Sequence, residues 1–112
     1  METVEFIKIL YPEVYETAKK FHTFEVKVHQ LIDDTYGKDS FDSILHLNEF
    51  HNEIENVRQN KLTNTKLNRL AQKYSKYFDE YSKATYDLKK RIGAKETLTI
   101  MESLQTYFKN LT

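Results

Sequence analysis

Apolar residues recur at spacings of three and four along almost the whole chain, and strand-like alternation of apolar and polar residues is essentially absent. At about 3.6 residues per turn, this spacing places apolar side chains on one face of an α-helix. The chain contains only two glycines and one proline, the residues that most often interrupt helices. The pattern therefore predicts an all-α fold.

The first two predicted helices meet at Pro12. Val4, Ile7 and Leu10 predict a short first helix. Proline lacks a backbone N–H, so Pro12 suits the first turn of a second helix, which we expect to run to about Thr35. The predicted inner stripe of this second helix is Val14, Ala18, Phe21, Val28 and Ile32, and Phe24 and Leu31 lie on one flank of it.

A third helix is predicted between two breaks. Gly37 is a left-handed stop for the second helix, and Asp39 or Ser40 can cap the start of the third. The third helix should end near Asn60. Its predicted inward residues are Ile44, Leu47, Phe50, Ile54 and Val57.

The fourth predicted helix is the longest and ends at Gly93. Thr63, Asn64 or Thr65 can cap its start. Its predicted seam is Leu67, Leu70, Tyr74, Tyr77, Tyr81, Ala84 and Leu88. A fifth helix, over about 94 to 111, should bury Leu98, Met101, Leu104, Phe108 and Leu111.

Short links between long amphipathic helices favour antiparallel neighbours. A chain of 112 residues, 39% hydrophobic and 30% charged, is large enough for one core and too small for two. We therefore expect a single domain over residues 1–112. Its predicted architecture is an antiparallel up-and-down bundle of four long helices, with a short N-terminal helix against it.

The absence of cysteine and the composition of the first residues indicate the cellular compartment in which we expect the protein. The chain has no cysteine, so disulfides are excluded and nothing requires an oxidising environment. Its start carries Glu2 and Glu5 where a signal peptide would carry basic residues, and no stretch approaches the roughly eighteen apolar residues of a membrane span. We expect a soluble, cytoplasmic protein that does not bind membranes.

The formal net charge of zero hides two opposed segments. Residues 1–60 hold six basic and twelve acidic residues, whereas residues 61–92 hold nine basic and three acidic residues. Within the second segment, a basic edge lies beside the seam of the fourth helix: Lys66, Arg69, Lys73 and Lys76. Four charges over about 15 Å could neutralise a few phosphates. Accessory nucleic-acid binding is therefore the alternative function, although the sequence pI of about 6.9 is lower than such proteins usually have.

Three tyrosines share one face of the fourth helix. Tyr74, Tyr77 and Tyr81 fall in line with the leucines of the seam, and Phe78 lies next to them. Tyrosine hydroxyls need water or a hydrogen-bond partner. Two interpretations follow: a wide buried seam with hydroxyls at its rim, or a half-open aromatic face that binds a second protein chain.

Histidines and carboxylates follow two helices at spacings of three and four: His22, Glu25, His29 and Asp33, then Asp42, His46, Glu49 and Glu53. Only Glu25 is expected near a core, and the Glu-x-x-His pairs of di-iron bundles are absent. His46 and His51 are five residues apart, whereas a zinc-protease helix needs four. Nucleophile motifs and phosphate-binding glycine loops are also lacking. We expect no metal, no cofactor and no enzymatic activity.

Asparagine recurs every fourth residue from Asn48 to Asn68. Such a row drifts by about 40° per step around a helix, so it cannot face one partner throughout. Asn60 and Asn64 are expected to serve the break between helices, and the others to be solvated.

No motif is specific enough to indicate a family. Small helical bundles serve many roles, among them inhibitors, immunity proteins, antirepressors and assembly adaptors, including those of phages and mobile elements. The sequence therefore favours a non-enzymatic, regulatory interaction module that presents the side of the fourth helix with Tyr74, Tyr77, Phe78 and Tyr81. Its partner would be another protein or a second copy of the chain in a dimer.

Overall fold

The computed structural model describes residues 2–36 and 44–111, and within these ranges the chain forms five α-helices and no strand. The helices are α1 (Glu2–Leu10), α2 (Pro12–Tyr36), α3 (Ile44–Arg58), α4 (Lys66–Ile92) and α5 (Ala94–Asn110). The predicted all-α class is confirmed, and the antiparallel order of four long helices stays a prediction. Gly37, Asp39 and Ser40 lie outside the described residues.

The Cα positions divide the chain into two compact units, so the single domain stays a prediction. The first unit comprises Met1–Thr23 and Tyr77–Thr112, and the second comprises Phe24–Lys76. Helices α2 and α4 each contribute residues to both units.

The first unit contains α1 and α5, the start of α2 and the end of α4. Helix α1 packs against α5, and the Tyr15 and Phe108 rings lie 5.4 Å apart between centroids. The buried hydrophobic side chains of this unit are Val4, Ile7, Val14, Tyr15, Ala18, Phe21, Tyr81, Ala84, Leu88, Leu104 and Phe108. The predicted inner stripe of α2 is confirmed here.

The inner face of α5 differs from the prediction. Leu98 and Leu111 are 56% and 60% exposed, so their predicted burial is wrong. Thr97 is buried instead, in line with Leu104 and Phe108. Its hydroxyl donates a 2.7 Å hydrogen bond to the Gly93 carbonyl oxygen, which satisfies the polar group inside the helix.

The second unit contains the end of α2, all of α3 and the start of α4. Its core cluster is Val28, Ile32, Phe50, Leu67 and Ala71, with Phe24, Ile54, Val57, Leu70 and Tyr74 packed against it. The Phe50 and Tyr74 rings meet edge to face at 5.6 Å. The predicted inward residues of the second and third helices are confirmed in this unit, except that the side chains of Ile44 and Leu47 lie outside the described part.

The link from α3 to α4 is built around Asn60, which has a φ of 61°. The Asn60 N–H donates to the Val57 carbonyl at 3.0 Å, and the Lys61 N–H donates to the Asn56 carbonyl at 2.7 Å. These two bonds form a Schellman motif, in which asparagine replaces the usual glycine. At the start of α4, the Thr65 Oγ1 accepts a hydrogen bond from the Asn68 N–H at 3.2 Å. The predicted roles of Asn60 and Thr65 are confirmed.

Asn68 is fully buried, so the prediction that it is solvated is wrong. Its Nδ2 donates to a Glu53 carboxylate oxygen at 2.7 Å and to the Lys61 carbonyl at 3.3 Å. Its Oδ1 accepts hydrogen bonds from the Thr63 N–H at 3.1 Å and the Gln72 Nε2 at 2.8 Å. The side chain therefore fastens the link to both α3 and α4, and this full set of partners explains how an amide can be buried.

Candidate functional site

Of the four predicted interface residues, Tyr81 lies deepest. It is 5% exposed, its ring stacks on Phe21 at 5.8 Å, and it meets His22 edge to face at 5.3 Å. Its hydroxyl has no hydrogen-bond partner among the described residues. Burial raises the pKa of Tyr81 to about 12. Tyr81 belongs to the core of the first unit and offers little surface to another chain.

The other three residues are less buried. In the first unit, Tyr77 is half-buried and Phe78 is 38% exposed, with the Phe78 ring 5.5 Å from Phe21. In the second unit, Tyr74 is half-buried, and burial, followed by the charge and the hydrogen bond of Glu25, raises its pKa. An interface at these residues stays a prediction.

The histidine and carboxylate stripes show one departure from the prediction. His22 is buried at 4% exposure, so the prediction that it lies at an edge or outer face is wrong. His29 and Asp33, one turn apart, approach within 3.7 Å. Over the part of the chain that the structure describes, no three histidine or carboxylate side chains form a group that could hold a metal ion. The side chain of His46, and Asp42 altogether, lie outside that part.

The predicted basic edge is a surface feature of the second unit. Lys66, Arg69, Lys73 and Lys76 are all exposed. Lys66 and Arg69 line a cavity of about 300 Å³ together with Leu31, Asp34 and Leu70. The structure thus places the four cations on one solvent-facing edge, as their spacing indicates.

The sequence reasoning missed the outer face of α1. Phe6, Ile9 and Leu10 are 62%, 72% and 58% exposed. They occupy positions i, i+3 and i+4, so they share one side of the helix. Val4 and Ile7 fill the opposite side and are buried. A nine-residue helix that is apolar on two sides was the signal that could have revealed this surface.

A groove runs between α1 and α5. Its volume is about 600 Å³, and its lining includes Thr3 and Val4 from α1 and Glu102 and Tyr107 from α5. Leu111, just beyond α5, also lines it and is 60% exposed. The first unit therefore has a concave surface beside the helix that carries the exposed apolar face.

A second exposed apolar region lies between α4 and α5. Tyr86 and Leu98 are 58% and 56% exposed and line a cavity of about 410 Å³. The Lys90 Nζ lies 4.5 Å from the centroid of the Tyr86 ring, which covers part of the aromatic surface. This region has fewer exposed large apolar side chains than α1.

Comparison with protein-family models, curated proteins and solved structures finds no match to the chain. Among the described helices, none combines the length and the apolar character that crossing a membrane requires.

Proposed function

We propose that this chain is a non-enzymatic protein-interaction module that binds its partner through the outer face of α1. The observation that carries the proposal is the exposure of Phe6, Ile9 and Leu10, each more than half accessible, on one side of one short helix. Single exposed apolar residues are ordinary, but a contiguous apolar face is typical of an interaction surface.

Burial explains why such a face would bind. Covering a large apolar side chain contributes roughly 1.5–3 kcal/mol, so three neighbours supply a substantial part of a binding free energy. Phe6 adds an aromatic anchor of the kind enriched at interface centres. The face belongs to a helix whose other side is fixed in the core by Val4 and Ile7, so little order has to be gained on binding.

The α1 face is favoured over the side of α4 that carries the tyrosines. Tyr81 would have to leave its contacts with Phe21 and His22 to reach another chain, whereas the α1 side chains are already accessible. An inhibitor, antirepressor or adaptor acting in the cytoplasm would use such a preformed helical face, and the absence of cysteine agrees with that compartment.

The test is a comparative pull-down from lysate of the native source, treated with nuclease. The triple variant Phe6→Gln, Ile9→Gln and Leu10→Gln removes the apolar face and retains helix propensity. Leu62→Gln is the matched control, because Leu62 is 58% exposed in the link before α4. We expect a discrete protein retained by wild type and control and lost with the triple variant. Equal retention by all three proteins would reject the α1 face.

Accessory nucleic-acid binding is a second candidate, favoured by one observation. All four cations of the basic edge are exposed on α4, and exposed cations at this spacing can neutralise phosphates. Charge reversal at Lys73 and Lys76 should abolish nuclease-sensitive retention of nucleic acid, whereas the same reversal at the exposed Lys19 and Lys20 of α2 should not.

A further inference from the structure

We infer that the cavity between α4 and α5 binds a small amphipathic anion, a molecule with an aromatic or aliphatic body and one carboxylate. The inference goes beyond the interaction proposed for the α1 face, because the described lining of this cavity comes from α4, the link after it and α5 alone. Three observations carry it: the apolar walls of the cavity, its volume, and the sign of its charge.

The walls of the cavity are largely apolar and accessible. Helix α4 contributes the ring of Tyr86, and α5 contributes Leu98 and Met101. Tyr86 and Leu98 are both more than half exposed, so their apolar surface is not used in the core of the first unit. Covering such side chains removes apolar surface from water and favours binding. The walls therefore suit a ligand with an apolar body.

The threonine hydroxyls of the lining add few donors. The Thr85 Oγ1 donates to the Tyr81 carbonyl oxygen at 3.0 Å, and the Thr97 Oγ1 donates to the Gly93 carbonyl oxygen at 2.7 Å. A hydroxyl has one proton, so both donors are already engaged with nearby backbone. A ligand that needs many hydrogen-bond donors, such as a sugar, would find few in this cavity. Most of the ligand is therefore apolar.

The volume of the cavity selects a small molecule. It is about 410 Å³, within the range of roughly 300–1,000 Å³ that is usual for small-molecule sites. Its lining extends over residues 82–89 of α4 and 94–101 of α5, which is about 10 Å along each helix. An aromatic acid or a medium-chain fatty acid can span this length.

The charge of the lining is positive. Among the described residues of the lining, Lys89 carries the only charge. The Lys90 Nζ lies 4.5 Å from the centroid of the Tyr86 ring, so a second cation is held beside one wall. A carboxylate placed at Lys89 gains a Coulomb attraction that a neutral or cationic head group lacks.

The acidic side chains closest in sequence to the lining lie away from Lys89. At about 100° per residue, Asp87 and Glu96 lie about 150° around their helices from the side that lines the cavity. Glu102 lines the groove between α5 and α1 instead. Asp79 is nearer the cavity side of α4, but it lies about 15 Å along the helix from Lys89. The end of the cavity at Lys89 is therefore cationic.

These features disfavour other ligands. A cation would be repelled by Lys89, and inorganic phosphate would leave the apolar walls uncovered. A phospholipid with an anionic head group shares the chemistry of the proposed ligand, but its two long acyl chains are too large for about 410 Å³. A free amphipathic carboxylate is the ligand that the walls, the volume and the charge accept together.

The experiment compares three probes that share one apolar body and differ in charge: naphthylacetate, naphthylethanol and naphthylethylammonium. Each is titrated into the full chain at neutral pH, and binding is followed by the NMR signals of the methyl groups. The signals of Leu98 and Met101 report directly on the cavity. Titrations at low salt and at about 0.5 M salt separate the contribution of charge, because salt screens exposed charges.

We expect the methyl signals of Leu98 and Met101 to shift, and naphthylacetate to bind about two- to fivefold more tightly than the alcohol at low salt, the preference that one exposed ion pair supplies. The ammonium probe should bind most weakly. Lys89→Gln should abolish the preference for the acid. Lys83→Gln is the matched control, because Lys83 is exposed about 110° around α4 from the cavity, and it should retain the preference.

A second variant tests the apolar wall. Leu98→Gln should weaken the binding of all three probes about fivefold, since each probe covers the same wall. Leu98 and Lys89 are both exposed, so neither variant should unfold the chain, and circular dichroism checks this.

The outcomes are distinct from those of the α1 pull-down. Equal affinities of the three probes for wild type, or a preference for the ammonium probe, would overturn the anion. No binding up to about 10 mM, or shifts confined to residues outside the cavity, would overturn the site itself. Flotation with phosphatidylglycerol vesicles is the last arm. Vesicle binding by wild type that Lys89→Gln abolishes would assign the cavity to a membrane lipid and overturn the free ligand.

Discussion

Asn68 and Tyr81 are buried polar residues of the same helix, and their surroundings differ completely. Every polar group of the Asn68 side chain is engaged, since its Nδ2 donates twice and its Oδ1 accepts twice. The Tyr81 hydroxyl, by contrast, has no hydrogen-bond partner in the described part of the chain. The second unit thus buries a satisfied amide, and the first unit buries an unsatisfied hydroxyl.

The difference teaches why each residue is tolerated. Asn68 replaces the water that the link between α3 and α4 would otherwise need, because it binds the Thr63 N–H and the Lys61 carbonyl. Tyr81 is tolerated because its ring packs against those of Phe21 and His22, whereas burying its hydroxyl costs folding free energy. Removing the polar group should therefore have opposite consequences at the two sites.

The larger expected effect of removing a polar group is at Asn68. Asn68→Ala leaves Glu53, Thr63 and Lys61 with lost hydrogen bonds, so the free energy of unfolding should fall by about 3 kcal/mol. Urea denaturation followed by circular dichroism measures the change. The exposed Asn64 is the control, and Asn64→Ala should change the stability by no more than about 0.5 kcal/mol. Equal values for the two variants would refute a structural role for the Asn68 network.

A smaller effect is expected at Thr65, the cap that binds the backbone N–H of Asn68. Thr65→Ala removes the Oγ1 acceptor of that bond and should cost about 1 kcal/mol. Thr65→Ser retains the acceptor and should restore most of the stability. Thermal unfolding of wild type and the two variants measures these differences in stability. A serine variant as unstable as the alanine variant would show that loss of the cap is not the cause of the destabilisation.

Much of the fold could be predicted because apolar periodicity reports which side of a helix is buried. Val14, Ala18 and Phe21 in α2, and Leu67 and Leu88 in α4, are buried as their spacing predicts. Apolar periodicity does not predict burial correctly where a polar side chain forms a hydrogen bond to a nearby backbone carbonyl. Thr97 donates a hydrogen bond to the carbonyl of Gly93, just before α5, and is buried while Leu98 is exposed, which no hydropathy pattern indicates.

The side of α1 that stays exposed was missed for a related reason. Phe6, Ile9 and Leu10 have the same hydropathy whether they face a core or solvent, and only the packing of α1 against α5 decides between them. The basic edge was easier to predict, because lysines rarely enter a core and their spacing alone places them on one side of α4.

The burial of the Tyr81 hydroxyl should also make the stability of the chain depend on pH in the alkaline range. Burial raises its pKa to about 12 in the folded chain, against about 10 for an ordinary tyrosine. Above pH 10 the unfolded chain releases this proton while the folded chain still holds it, so stability falls as pH rises toward 12. The urea midpoint, measured between neutral pH and about pH 11, should fall less steeply with pH for Tyr81→Phe than for wild type. The pKa of Tyr74 is also raised, so Tyr74 should account for part of the fall that remains in the variant. Parallel slopes in the two proteins would show that the Tyr81 hydroxyl is not buried in this way.

The smallest expected effect, and the one that most directly separates the two sites, is Tyr81→Phe at neutral pH. The substitution removes only the hydroxyl and leaves the ring against Phe21 and His22, so the free energy of unfolding should stay the same or rise by up to about 1 kcal/mol. Tyr81→Ala is the control for the ring, and it should cost about 3–5 kcal/mol as a cavity forms in the core. Equilibrium urea denaturation of the three proteins measures both differences. A loss of more than about 1 kcal/mol in Tyr81→Phe would mean that the hydroxyl is hydrogen-bonded in the folded chain. In that event Tyr81 and Asn68 would be buried for the same reason, and the contrast between the two sites would fail.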